Sequence, residues 1–187
     1  MPNRPILIVS GTNRPASNSL RVAQGVARHY AALGTAAEVY SLGELPGSAF
    51  APEAFGVKPP ELVAVQQRVL GAAGLHLVVP EYNGSFPGVL KHFIDLLKFP
   101  ESFQDKPVAF VGVANGWFGA VRAVEQLQMV FAYRNAHLFP DRVFIPGVGK
   151  KLDVDGVIAD AEIDARLAKQ AKGFARYAEL VGGPTPG

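Results

Sequence analysis

No cysteine occurs in the 187-residue chain, which excludes disulfides, thiolate nucleophiles and Cys-ligated metal clusters. Any redox chemistry therefore has to come from a bound cofactor. Charge is scarce too: 18% of residues are Asp, Glu, Lys or Arg, the 18 basic residues nearly balance the 16 acidic ones, and neither sign forms a long run. That pattern argues against a nucleic-acid surface. No apolar stretch approaches the ~20 residues that span a bilayer, and ILIV at 6–9 is too short for the core of a signal peptide. The expectation is a cytoplasmic protein without membrane or nucleic-acid partners. The four histidines, His29, His76, His92 and His137, lack metal-ligand spacing, so no metal site is expected, and His76 reads as a core or strand-end residue. Two phosphate signatures are also missing, the triphosphate loop GxxxxGK[ST] and the dinucleotide fingerprint GxGxxG.

What is present is a hydrophobic fraction of 49%, enough for a folded core in a chain whose length suits one domain over residues 1–187, with a frayed tail from about residue 181. Short apolar runs recur: ILIV at 6–9, AEVYSL at 37–42, LHLVVP at 75–80, PVAFVGVA at 107–114 and a broken one, HLFPDRVFIP, at 137–146. The first, third and fourth lack polar alternation, as strands covered by helices on both faces should. Between them, apolar residues fall at helical spacing: Val22, Val26 and Tyr30, then Leu90, Ile94 and Leu97, then Val124, Leu127 and Phe131, and finally Ile163, Leu167 and Phe174. Residues 60–73 make a weaker helix, and the Pro, Gly and Ala-rich stretch 46–60 reads as a surface excursion. The alternation βαβαβαβαβα predicts an α/β fold, an open doubly wound sheet of five parallel strands in the order 2-1-3-4-5.

In such a sheet ligands sit beyond the carboxyl ends of the strands where the order reverses, here between the first and third. The loops expected to converge there are SGTNRPASNS, PEYNGSFPG and, next to them, ANGWFG. The first suits a phosphate. Gly11 lets the backbone come close, Ser10, Thr12, Ser17 and Ser19 offer hydroxyls, Asn18 an amide, Arg14 a charged fork, and the following helix its unpaired N–H groups. An ordinary helix N-cap at Ser17 or Asn18 with a solvated arginine accounts for the same loop if it stands alone. In the second loop Asn83-Gly84 tolerates positive φ and can turn backbone N–H groups toward one point, while Tyr82 covers a planar heterocycle; a plain βα turn with packed aromatics is the alternative.

These motifs resemble the NAD(P)H-dependent FMN reductases, flavodoxin-like proteins that include quinone, chromate and azo-dye reductases. The family pattern G-S-x-R-x-x-S-x-N/S is similar to residues 11–19, and P-E-Y-N-x-S-x-P-G-x-L-K-x-x-I-D is matched at every named position over 80–95. GWFGAVRAVEQLQMVF resembles the family's glycine loop and the helix after it, and the FIPG and DxDG segments extend the likeness over nearly the whole chain. The resemblance implies that Ser10, Thr12, Arg14, Ser17, Asn18 and Ser19 bind the FMN phosphate. By the same likeness Pro80, Glu81, Tyr82, Asn83, Gly84 and Ser85 border the ribityl chain and ring, and Asn115, Gly116, Trp117 and Gly119 close the other side. Two departures stand out: Thr12 replaces a serine, and Gly119-Ala120 is one glycine short beside the bulky Trp117.

The implied activity is hydride transfer from NADPH or NADH to flavin N5 and onward delivery to a small acceptor: free flavin, a quinone, an azo compound or a metal oxyanion. No side chain need act as acid or base. An electron-carrier flavodoxin is the competing reading, although such carriers are strongly acidic and this chain has a pI near 8.9; a flavin-free binding module is the third. The resemblance also implies a homodimer or homotetramer formed through helices at 88–98 and 119–135. Glu81 is open between catalysis and a capping or pairing role, Arg122 between a nicotinamide phosphate and solvent or an interface, and Trp117 between flavin and a subunit contact.

Overall fold

Alternation within the apolar runs sets the layers. In the first strand Leu7 and Val9 point to one side of the sheet and Ile6 and Ile8 to the other, and all four are buried. Both faces are therefore covered, which is why the run shows no polar alternation. The computed structural model describes residues 4–153 and 157–182; most of the terminal GGPTPG and the VDG of the DxDG segment lie outside the described residues. Its elements are β1 (Ile6–Ser10), α1 (Asn18–Ala32), β2 (Ala37–Ser41), α2 (Pro60–Gly71), β3 (Gly74–Pro80), α3 (Gly88–Leu96), β4 (Pro107–Ala114), α4 (Val121–Tyr133), β5 (His137–Leu138), β6 (Val143–Pro146) and α5 (Ala161–Val181). Helices α2, α3 and α4 contribute to the core on one face, with α1 and α5 on the other.

The sheet is parallel in the order β2-β1-β3-β4, and β4 then pairs with both β5 and β6. The expected fifth strand is thus two strands: His137–Leu138 faces Pro107 and Val108, and Val143–Pro146 faces Val111 to Ala114. Pro140 lies in the gap, where it has no N–H to give a ladder. The Asp141 carbonyl there accepts from the Gln170 side chain of α5 instead, at 2.8 Å.

Stretch 46–60 runs over the surface, as expected, and is anchored there: its short 3-10 turns bury Ala49 and Ala54, and Phe50 stacks on His92 of α3 at 5.0 Å and 12°. One other expectation changes. Helices α3 and α4 are shorter than 88–98 and 119–135: Leu97 is already extended, and Ala120 takes a left-handed conformation, φ 72°, ahead of α4. Among the described residues, no helix is long and apolar enough to cross a membrane.

A buried polar chain ties the α1–α5 layer to the sheet. The Tyr30 hydroxyl lies 2.8 Å from His76 Nδ1, His76 Nε2 lies 3.1 Å from Gln170 Oε1, and the Gln170 amide nitrogen donates to the Phe110 and Asp141 carbonyls. Because that nitrogen has two acceptors, the Gln170 oxygen faces His76, so Nε2 carries the imidazole proton and Nδ1 accepts from Tyr30. Burial holds His76 down to about 4 from 6.5, against the smaller opposing effect of its bond to Gln170. The unfolded chain takes up this proton as pH falls through about 6.5 and the native protein only near 4. Stability is therefore highest above that window and falls across it, by roughly 3 kcal/mol in total. Urea unfolding at several pH values should show this decline, and His76→Gln should be less stable at neutral pH but flatter across the window. Equal slopes in the two proteins would rule out the buried neutral imidazole as the cause.

Candidate functional site

Three loops leave the carboxyl ends of β1, β3 and β4, and each is shaped by a different local constraint. After β1, the Gly11 N–H donates to the Val78 carbonyl at 2.9 Å, and a Cβ on Gly11 would sit 2.9 Å from that oxygen and 3.1 Å from Leu90 Cδ2. The close approach that needs this glycine is to β3 and α3. Thr12 is buried; its Oγ1 lies 2.7 Å from the Tyr82 hydroxyl and accepts the Arg14 N–H at 3.3 Å, clipping the first loop to the second. Ser17 is the N-cap of α1, with φ −69°, ψ 147° and an Oγ that accepts from the Leu20 N–H at 3.1 Å. Asn18 is the first helical residue; its Oδ1 accepts from Arg21, and its amide nitrogen remains a donor.

The β1 side of the site offers donors and no acid. The N–H groups of Asn18 and Ser19 come before Leu20, the first donor bonded within the helix turn, the first turn of α1 has no acidic residue, and Arg14 is exposed with no ion pair among the described residues. The cap at Ser17 and an anion site coexist, since the cap occupies Leu20's N–H and leaves its neighbours available.

After β3, Tyr82 and Ser85 exchange backbone hydrogen bonds of 2.7 and 3.1 Å around Asn83 (φ 52°) and Gly84 (φ 78°), a type I′ reversal. The reversal carries Gly84 and Ser85 away from the cleft. Ser85 Oγ donates to Gln126 of α4 at 2.6 Å, and Gln126 donates to the Gly84 carbonyl at 3.2 Å. Glu81 is 18% exposed; one carboxylate oxygen is 3.9 Å from Arg122, and the other is buried without a protein partner among the described residues. The Arg122 guanidinium also lies over the Phe118 ring, 4.6 Å from its centre.

After β4 the chain doubles back. A Cβ on Gly112 would collide with the Gly119 carbonyl oxygen and lie 2.8 Å from Phe144 Cδ1, so the loop can cross β4 only where a side chain is missing. Gly119 (φ 57°) is buried beneath it, against the backbone of β6. Asn115 Oδ1 accepts from the Gly149 N–H at 3.1 Å, which fastens the 148–150 turn to the loop. Trp117 and Phe118 are exposed.

Together the loops enclose a cavity of about 520 Å³, inside the ~300–1,000 Å³ range of small-molecule sites. Of the sequence-nominated residues, Thr12, Arg14, Ser17, Asn18, Ser19, Pro80, Glu81, Tyr82, Asn83, Asn115, Gly116 and Trp117 line it. Ser10, Gly84, Ser85 and Gly119 lie off its wall: Ser10 is inside the sheet, the turn takes the next two away, and Gly119 serves the crossing over β4. The wall also includes Pro15, Ala16, Val113, Ala114, Phe118 and Val148. Pro15 and Ala16 belong to the SGTNRPASNS loop and Ala114 and Phe118 to ANGWFG, so their loops pointed to them although their residue types did not; Val113 and Val148 carry no such signal. Among the described residues, no group of three or more His, Asp or Glu is placed to hold a metal.

A family model described as NADPH-dependent FMN reductase matches residues 5–150. The chain is 27% identical over 179 residues to the NADH:(hydroxy)cinnamate reductase subunit CrdA of Vibrio ruber, covering 94% of this chain and 87% of that one. It is 30% identical over 115 residues to the NAD(P)H-dependent FMN reductase PA1204 of Pseudomonas aeruginosa, covering 60% and 62% of the two chains. FerB, the NAD(P)H:(acceptor) oxidoreductase of Paracoccus denitrificans, has the same fold, with a TM-score of 0.81 at 20% identity over 96% of this chain and all of that one.

The crossing over β4 yields a test. Gly112→Ala should cost about 1–3 kcal/mol through overpacking, while Gly116→Ala, where a Cβ meets nothing within 4 Å, should cost under about 0.5 kcal/mol. Chemical denaturation of the two variants measures the difference, and equal costs would contradict the packing described.

Proposed function

Since the chain belongs to the NADPH-dependent FMN reductase family, we propose that its cavity holds FMN and that NADPH or NADH reduces the flavin for the benefit of a small acceptor. Free flavins, quinones, azo compounds and metal oxyanions are the acceptor classes. The observation that carries this reading is how the cavity's lining is shared among its loops. The loop after β1 offers Arg14, Ser17, Asn18, Ser19 and a helix N-terminus without acid; the loops after β3 and β4 offer Tyr82, Trp117 and Phe118. A flat aromatic ring on a phosphorylated polyol has parts that match both sets.

The residues present fit the group in a second respect. The buried Glu81 oxygen that has no protein donor needs one, and the ribityl hydroxyls supply it. In this arrangement Arg14 and the first-turn N–H groups hold the phosphate, each charge-assisted bond contributing roughly 1.5–3 kcal/mol before solvent screening. Tyr82 is held by Thr12 and by its turn, so it is a fixed wall for the ring. Residues 115–118 line the same cavity, and their backbone N–H groups would be the donors for the negative charge that grows on the flavin as it is reduced. Bound FMN supplies the redox chemistry itself, accepting hydride and passing electrons on. The chain's own work is placement and exclusion of water, and no side chain is required as acid or base.

The protein is proposed to act in the cytoplasm as a homodimer or homotetramer. Support for assembly comes from α4 and the turn after α3, which leave Met129, Tyr133 and Phe99 exposed at 73%, 79% and 66%.

Purified protein should be yellow, or turn yellow with added FMN, and should bleach when NADPH or NADH is added anaerobically. Bleaching only with a partner reductase would make it an electron carrier, and failure to bind FMN would end the proposal. Arg14→Ala should weaken FMN binding roughly tenfold, allowing for its exposure, and riboflavin binding hardly at all; equal losses for both ligands would contradict the phosphate contact.

A further inference from the structure

Trp117 is the single tryptophan of the chain, and it is 95% exposed. Leaving an indole in water forfeits its large apolar surface, so its position at the lip of a cavity calls for a ligand. On its far side lies a second cavity of about 590 Å³, lined by Asn115, Gly116, Trp117, Pro146, Gly147 and Lys150. The first three also line the proposed FMN cavity, so the two spaces flank the same 115–117 loop.

Lys150 reaches this cavity because Gly147, at φ 62°, turns the chain out of β6 into the tight Val148–Lys150 turn, where the Lys150 N–H donates to the Gly147 carbonyl at 2.9 Å. Its side chain makes no ion pair or hydrogen bond among the described residues. The neighbouring cations are engaged: Lys151 pairs with Asp160 at 2.9 Å, Arg21 bonds Asn18 and the Asp153 carbonyl, and Arg122 lies over Phe118 beside Glu81. The cavity thus combines a broad aromatic face, a proline wall and one exposed ammonium group.

We propose that this second cavity is the subsite for the adenosine 2′-phosphate end of the hydride donor, with Trp117 stacking on adenine and Lys150 pairing with the phosphate. The inference rests on the reading of the first cavity as a flavin site served by NAD(P)H. A dinucleotide whose nicotinamide lies over the flavin has to place its adenosine half outside the first cavity, and the second one adjoins it. Stacking on an aromatic side chain suits any base and favours both dinucleotides alike. Only NADPH carries the extra dianion that a point charge such as lysine rewards. The protein therefore selects NADPH over NADH through Lys150.

Because Trp117 is the sole tryptophan, its emission reports on the subsite directly. With the FMN-loaded protein, 2′-AMP should quench that emission and bind more tightly than 5′-AMP, and Lys150→Ala should weaken 2′-AMP roughly tenfold while leaving 5′-AMP within about twofold. In steady state, the KM for NADPH should rise by the same roughly tenfold factor in Lys150→Ala, with kcat unchanged and the KM for NADH nearly so. Trp117→Leu should raise both KM values. The proposal is overturned if 2′-AMP and 5′-AMP bind alike, if Lys150→Ala shifts neither or both equally, or if 4-hydroxycinnamate quenches Trp117 more strongly than 2′-AMP, which would assign the cavity to an aromatic acid acceptor. A protein that oxidises NADPH without these effects loses the subsite and keeps the reductase reading. One that shows Lys150-dependent 2′-AMP quenching but never bleaches with NADPH keeps the subsite and loses the reductase reading.

Discussion

A parallel sheet whose successive residues are apolar on both sides leaves no face for polar chemistry. Leu7 and Val9 serve one layer of core, Ile6 and Ile8 the other, and β3 is buried along its whole length. Polar groups for a ligand can then be gathered only at the strand ends, where backbone N–H groups and loop side chains come free of the ladder. The position of the cavity follows from that exclusion. One polar chain inside the core, Tyr30–His76–Gln170, is tolerated because each of its polar atoms meets a partner and the imidazole stays neutral.

Gathering loops is insufficient unless they hold still, and each here is fastened to a neighbour. Thr12 is bonded to Tyr82, the Asn83-Gly84 turn to Gln126, and Asn115 to Gly149. The missing side chains at Gly11 and Gly112 let the first and third loops lie against the sheet. A site fixed in this way before its ligand arrives loses less entropy on binding, which suits a protein whose contribution to the reaction is placement. Trp117 and Lys150 stay exposed beside it, where the proposed dinucleotide would meet them.

Features that depend on a few adjacent residues were legible in the sequence. Ser17 caps α1 because a hydroxyl before a helix reaches its first N–H groups, and Asn83-Gly84 adopts positive φ because those two residue types tolerate it. The open parallel sheet followed from the alternation of buried runs and helical spacing, and the family followed from two loop motifs. The split of the last strand was half visible, since Pro140 marks the gap but cannot say that both pieces still pair with β4.

The rest turned on which groups lie opposite one another, and a linear pattern carries no such information. That the missing Cβ of Gly11 makes room for the Val78 carbonyl oxygen, that Ser85 Oγ is bonded to Gln126 of α4, and that His92 anchors the surface stretch 46–60 to α3 are all contacts of this kind. The amino-acid order by itself determined the elements, their sequence and the chemistry available at each loop, because backbone propensity and apolar spacing act over a few residues. Tertiary structure decided which of those groups face the cavity, because contacts between residues tens of positions apart are fixed only when the layers close.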